Sequence, residues 1–247
     1  MLPGLFVTGT DTGVGKTLVS CALLRLLRER GVDAVGFKPV VTGAENGRWE
    51  DVEALWEASG RCEPRELIGP LRFLAPMAPV QAAKGEGREP DLGLARGALA
   101  ELAGRHALVV AEGVGGLLVP LDRKTMLLDF IQATGYPALL VSRAGLGTVN
   151  HTLLSLRELE RAGVPVAAVI MSVTRSEDAP NARPSIEEIE RHSGMRIAAL
   201  LPYGGSEAQD LARTSLREQL NLEGLIGGGM EGWRDGSHPE SLRSSTS

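Results

Sequence analysis

Residues 6–17 read FVTGTDTGVGKT. The common phosphate-binding loop has the form G-x-x-x-x-G-K-[ST], a glycine-rich turn that feeds a helix N-terminus. Counting back from Gly15-Lys16-Thr17 puts Thr10 where the first glycine belongs, with Gly9 one place early. The phosphate-facing half is intact. Gly13 and Gly15 let the backbone turn so that successive N–H groups converge on an anion, backed by the positive end of the helix. Lys16 then reaches the outer phosphates, and the Thr17 hydroxyl can ligate magnesium.

The flanks agree with this reading. Leu5-Phe6-Val7-Thr8 is a short apolar run of the kind that forms a buried strand. After the loop, Val19, Ala22, Leu23, Leu26 and Leu27 recur at helical spacing, and Gly31 ends the helix. The stretch DAVGFKPV (33–40) predicts a second strand, so the order implies a parallel βαβ unit with a right-handed crossover. Further continuous apolar runs, at 107–113, 137–142, 165–172 and 196–202, suit strands buried on both faces. Helical segments are expected between them at 91–103, 148–162, 185–193 and 206–220. Residues 60–90, richer in Pro, Gly and charge, predict an irregular excursion with a short helix. The expected architecture is α/β, a single-domain doubly wound, mostly parallel sheet with helices on both faces, of the P-loop NTPase type. It covers residues 1–226, and 227–247 have the composition of a flexible tail in which only Trp233 offers a docking group.

Composition narrows the function. The 247 residues are 43% hydrophobic, which excludes wholesale disorder. Net charge is −5 with the basic residues scattered, which argues against duplex nucleic acid as a partner. Cys21 and Cys62 are too few and too far apart for a disulfide framework or a zinc site, and Cys21 reads as a core residue. His106, His151, His192 and His238 do not fall at ligand spacing. No apolar run approaches the ~20 residues of a membrane helix. The strand-like start within four residues leaves no room for a signal peptide, so the cytoplasm is expected.

In such folds ligands bind outside the carboxyl ends of the strands. Glu112 closes the run LVVAEG at that edge, where an acid can hold Mg²⁺ directly or through water. Gly113, Gly115 and Gly116 after it let a ligand approach the backbone. Lys38 ends the second strand beside the phosphate loop, Pro39 fixes the chain's exit, and Thr42 can add a hydroxyl.

VTGTDTGVGKT, GFKPVVTG, VVAEGVGG and GLGTVNH, in this order and at these intervals, resemble the dethiobiotin synthetase family over most of residues 1–203. The threonine after the first glycine is that family's own form of the loop. The resemblance implies an ATP-dependent ligase of biotin synthesis acting on diaminopelargonic acid and carbon dioxide. One amine becomes a carbamate, ATP phosphorylates it, and the second amine closes a cyclic urea. By the same resemblance, Gly13, Val14, Gly15, Lys16, Thr17 and Leu18 hold the nucleotide, joined by Asp51, Glu112, Gly113, Val114 and Gly115. Ser172, Pro202 and Tyr203 meet the base. Lys16 and Lys38 are catalytic, and Thr12, Lys38 and Thr42 contact the substrate. Thr17, Asp51 and Glu112 form the magnesium set, with Glu50 or Glu53 as alternatives to Asp51. The family presents a helix N-terminus to the substrate carboxylate across a homodimer interface, which implies Leu146, Gly147, Thr148, Val149 and Asn150 of the second subunit.

Two departures stand out. Thr42 replaces the family's usual serine, and Ser172 stands where an asparagine reads adenine. Serine offers one hydroxyl in place of an amide's paired donor and acceptor, so base selectivity is expected to weaken. A partitioning-type switch ATPase shares the fold but begins its loop with a second lysine, whereas this chain has Thr10-Asp11-Thr12. An amidoligase of the cobalamin type needs a glutaminase domain, for which 247 residues leave no space.

Overall fold

In a computed structural model, which describes residues 4–227, the chain alternates strand and helix from the first of these residues. The elements are β1 (Gly4–Gly9), α1 (Lys16–Glu29), β2 (Ala34–Phe37), β3 (Val40–Thr42), α2 (Glu50–Ala58), α3 (Arg65–Ile68), β4 (Leu71–Phe73), α4 (Pro79–Gly85) and α5 (Leu92–Arg105). They continue as β5 (Leu108–Glu112), α6 (Leu127–Thr134), β6 (Ala138–Arg143), α7 (Thr148–Arg161), β7 (Val166–Ser172), α8 (Ala179–Ser193), β8 (Ile197–Leu201), α9 (Ala208–Gln219) and α10 (Leu222–Gly227).

Six strands form one parallel sheet in the order β2-β5-β1-β6-β7-β8. Alternate residues of β1 feed opposite layers. Leu5 and Val7 join a core with Leu23, Leu27, Val110 and Val141 beneath α1, α2 and α9. Phe6 points the other way, into a core with Val109, Phe130 and Leu99 beneath α5 and α6. Both faces are therefore covered, which is why the strands read as unbroken apolar runs.

The order also sets where a ligand can sit. From β1 the chain steps outward to β2, then returns to insert β5 between them, and later leaves β1 on the other side through β6. Connections diverging from one central strand leave a crevice at the carboxyl edge. Gly9, Lys38, Glu112, Ser172 and Pro202 all stand at or just beyond strand ends on that edge.

Several local readings need correction. The excursion at 60–90 contains β4, which pairs in parallel with β3 as a separate two-stranded sheet, Val41 opposite Arg72. Three-residue strands carry too little alternation to show in a sequence. Helices α2 and α6 were not expected. In α2 the buried positions Val52, Leu55 and Ala58 do lie three apart, but the acidic residues between them masked a nine-residue helix. Helix α8 begins at Ala179, earlier than the expected boundary at 185. Pro180 lies in the first turn, where no intrahelical donor is lost, and Pro184 is accommodated one turn later. The segment from 228 onward, including Trp233, lies outside the described residues.

Candidate active site

The loop after β1 enters α1 through Gly15, which caps the helix at φ 96°. An L-residue with a side chain is strained there, and a Cβ would stand 3.0 Å from Ser172 Oγ. This glycine thus serves both the turn and the close approach of the loop to β7. Beyond it opens a cavity of about 860 Å³. Its phosphate-loop wall is Thr12, Gly13, Gly15, Lys16, Thr17 and Leu18. Lys38, Thr42, Asp51, Glu112, Val114 and Gly115 line its middle. Ser172, Pro202 and Tyr203 lie at its far end with Val173 and Thr174.

At the centre is a four-residue cluster drawn from four elements or their ends. Lys38 Nζ lies 2.6 Å from Glu112 Oε1 and 2.7 Å from Asp51 Oδ2. It also lies 3.3 Å from the carbonyl oxygen of Gly113. The Thr17 hydroxyl is 2.8 Å from both Asp51 Oδ1 and Glu112 Oε1. One hydroxyl has one hydrogen, so only one of these contacts is a donated bond at any moment. The Lys38 and Glu112 side chains are 2% and 0% exposed. Glu112 Oε2 is buried with no hydrogen-bond partner.

The charges follow from this packing. Burial pushes the Lys38 ammonium down, but the adjacent Glu112 and Asp51 carboxylates outweigh it and hold its pKa above the usual lysine value. Burial likewise pushes Asp51 up, yet Lys38 wins and its carboxyl sits below the usual range. Lys16 has no such partner. Burial first, and the Lys38 charge second, pull it from 10.5 to about 8. Its ammonium folds back onto the Asp11 carbonyl oxygen at 2.8 Å.

Asp51 owes its position to α2. Trp49, which caps that helix, donates its indole N–H to the Phe73 carbonyl at 2.9 Å and ties the helix start to β4. Arg65 pairs with Glu53 at 2.7 Å and lies over the Trp56 ring, so Glu53 is turned away from the cluster. The geometry brings Asp51 to the cluster and leaves Glu50 exposed.

The oxygens fit a divalent cation. Thr17, Asp51 and Glu112 present hard oxygen donors, and their 2.8 Å spacings are close to the edge of an octahedron with ligands at about 2.1 Å. Among the described residues no three His, Cys, Asp or Glu side chains converge on one point. A cation held here would therefore draw the rest of its shell from phosphate oxygens and water, as magnesium usually does.

Other expected residues are placed differently. Val14 is buried in the core, and Gly113 reaches the site only through its carbonyl. Leu146 through Asn150 do not line the cavity of their own chain. Gly147, at φ 90°, caps α7, and Leu146 is 99% exposed. The wall made by Pro76, Met77, Ala78 and Pro79 was missed, as were Val119 and Thr174. The prolines three apart at 76 and 79 were the one available signal for the first of these, and the short strand before them did not show in the sequence.

A family model described as an AAA domain matches residues 3–206. An ATP-dependent dethiobiotin synthetase of Anaeromyxobacter dehalogenans (strain 2CP-C) is 52% identical over 81% of this chain and 90% of its own length. Those of Nitrosospira multiformis and Bacillus licheniformis are 40% and 36% identical, over 85% and 89% of this chain and 92% of each relative. A ParA family ATPase from Chlorobium tepidum superposes with a TM-score of 0.50 at 15% identity, covering 90% of this chain and 96% of that one. That last likeness is one of fold. Loop, sheet order and relatives agree that the chain belongs to the ATP-dependent dethiobiotin synthetase family.

Proposed function

We propose that this chain closes the cyclic urea of dethiobiotin from diaminopelargonic acid, carbon dioxide and ATP, releasing ADP and phosphate. The observation that supports it best is the convergence of Lys16 and Lys38 on one cavity between the phosphate loop and the Asp51–Glu112 pair. A carbamate oxygen attacking the γ-phosphorus brings two anions together. Positioning and charge neutralisation supply most of the catalysis in such a transfer.

The chain's residues divide the work. The N–H groups of the loop and Lys16 hold the phosphates. Lys38 neutralises the carbamate and the phosphoryl group in transfer, so that the carbamate oxygen forms its bond to phosphorus as the bond to ADP breaks. The second amine then attacks the carbamoyl carbon, and phosphate leaves. Thr12 and Thr42 orient the diamine. Pro76 to Pro79 and Val119 give the alkyl chain an apolar wall. Magnesium, held by Thr17, Asp51 and Glu112, would neutralise the phosphate oxygens. In a homodimer the start of α7 in the second subunit, from Leu146 to Asn150, binds the distant carboxylate, because exposed N–H groups at a helix start attract an anion. The reaction uses small metabolites and belongs in the cytoplasm. No helix among the described residues is long and apolar enough to cross a membrane.

The test is ATP consumption with diaminopelargonic acid and bicarbonate. Phosphate release that requires both is expected. Release indifferent to the diamine would overturn the reading and favour a switch ATPase.

A further inference from the structure

The oxygens that would hold magnesium already hold a cation. Lys38 Nζ bridges Glu112 Oε1 and Asp51 Oδ2 at 2.6 and 2.7 Å, and both residues also touch the Thr17 hydroxyl. The ammonium lies wholly inside the protein, with 2% of the side chain exposed. Without it, the buried Glu112 carboxylate and the part-exposed Asp51 carboxylate would both stand 2.8 Å from one hydroxyl with a single hydrogen among them. Buried anions so placed are strongly unfavourable unless a positive charge compensates.

We propose that Lys38 is the resident counter-ion of the magnesium pocket in the free protein. The divalent cation enters by displacing it, and the displaced ammonium is what turns toward the reacting groups. This inference rests on the proposed function only for the identity of the metal and of those reacting groups.

Charge balance gives the direction of the coupling. Within the cluster Lys38 offsets one of the two carboxylate charges, and Lys16, which borders it without an ion pair, offsets the other at longer range, so these groups together are neutral. A bare divalent cation makes them doubly positive around the buried Lys38–Glu112 pair, which opposes binding. A cation arriving with a nucleotide brings the compensating negative charge with it. The free protein should therefore bind magnesium weakly, and nucleotide entry, metal entry and release of Lys38 become one event. A lysine is suited to this exchange, since its long flexible stem carries a compact charge that can be delivered elsewhere without moving the backbone.

The test uses the nucleotide-free, substrate-free protein. Mn²⁺ binding is measured by electron paramagnetic resonance in wild type and in Lys38→Met, with thermal unfolding in EDTA and in MgCl₂. Removing the resident charge should tighten Mn²⁺ binding roughly ten-fold or more, the effect of at least one close like charge at the site. The variant should melt lower than wild type in EDTA and recover in MgCl₂, whereas wild type should respond little. Asp51→Asn added to Lys38→Met should abolish the gain. If Lys38→Met does not accumulate, Lys38→Gln carries the same measurements, because it keeps a polar group without the charge. Equal Mn²⁺ affinity in wild type and variant, with melting indifferent to MgCl₂ in both, would overturn the exchange. That outcome leaves the ring-closure reading intact, which stands or falls on diamine-dependent ATP consumption.

Discussion

Lys38 and Glu112 stand 2.6 Å apart across 74 residues of sequence, with neither side chain open to solvent. One follows β2, the other ends β5, and these strands are neighbours in the sheet. Parallel pairing of two apolar strands thus brings together two charges that neither strand could bury alone. Once paired, each is needed by the other.

Glu112→Gln should accordingly lower stability by about 2–3 kcal/mol. That is at or just below the usual cost of about 3–5 kcal/mol for breaking a buried pair, because Asp51 still faces Lys38. Urea unfolding of wild type and variant checks this. A midpoint unchanged within error would show that Asp51 alone satisfies the lysine.

Lys16→Met should separate stability from function. The folded-state pKa of Lys16 is depressed to about 8 from 10.5. Its charged form is therefore disfavoured by folding at neutral pH, by about 3 kcal/mol. This penalty is fully present below pH 8 and fades as pH rises from 8 to 10.5, where the unfolded chain binds the extra proton. The variant, in EDTA and without nucleotide, should be more stable than wild type at pH 7, and the difference should shrink by pH 10. ATP affinity should fall about ten- to a hundred-fold, the worth of a charge-assisted contact to phosphate. Calorimetry showing wild-type ATP affinity would remove Lys16 from the phosphate site.

Gly15→Ala should weaken nucleotide binding more than Gly13→Ala. Both glycines have positive φ, 96° and 72°, so both substitutions strain the backbone by about 1–2 kcal/mol. At Gly15 the added Cβ also meets Ser172 Oγ at 3.0 Å, while at Gly13 it meets nothing within 4 Å. Titration of each variant with ATP gives the comparison. Equal losses would mean that contact with β7 does not matter to the loop.

Ser172 should leave base selection loose. It lines the far end of the cavity and offers one rotatable hydroxyl, which can donate or accept. An asparagine amide can match adenine's adjacent donor and acceptor, and an unmatched buried polar group costs about 1–3 kcal/mol. Ser172→Asn should raise the preference for ATP over GTP and CTP about ten-fold in kcat/KM. Tight ATP selectivity in wild type, unchanged in the variant, would assign the base to the backbone near Pro202 and Tyr203.

Local chemistry made much of this protein legible from its sequence. The run Leu5–Thr8, the glycines at 13 and 15, and Lys16-Thr17 before a helical repeat carry strand, turn and helix in consecutive residues. Apolar runs buried on both faces marked all six strands of the main sheet. What the tertiary structure alone decided was long-range and electrostatic. Which acid joins Thr17 depended on α2 being tied down by Trp49 and on Arg65 claiming Glu53, interactions that no spacing rule encodes. The short strands β3 and β4 exist because each completes the other's hydrogen bonds, so neither segment shows its nature by itself. The place of Lys38 is the clearest case. Its residue type and strand end announced a lysine at the binding edge, where solvent would ordinarily surround it. Only the folded sheet, by closing water out and bringing Glu112 and Asp51 to its ammonium, made it a buried counter-ion.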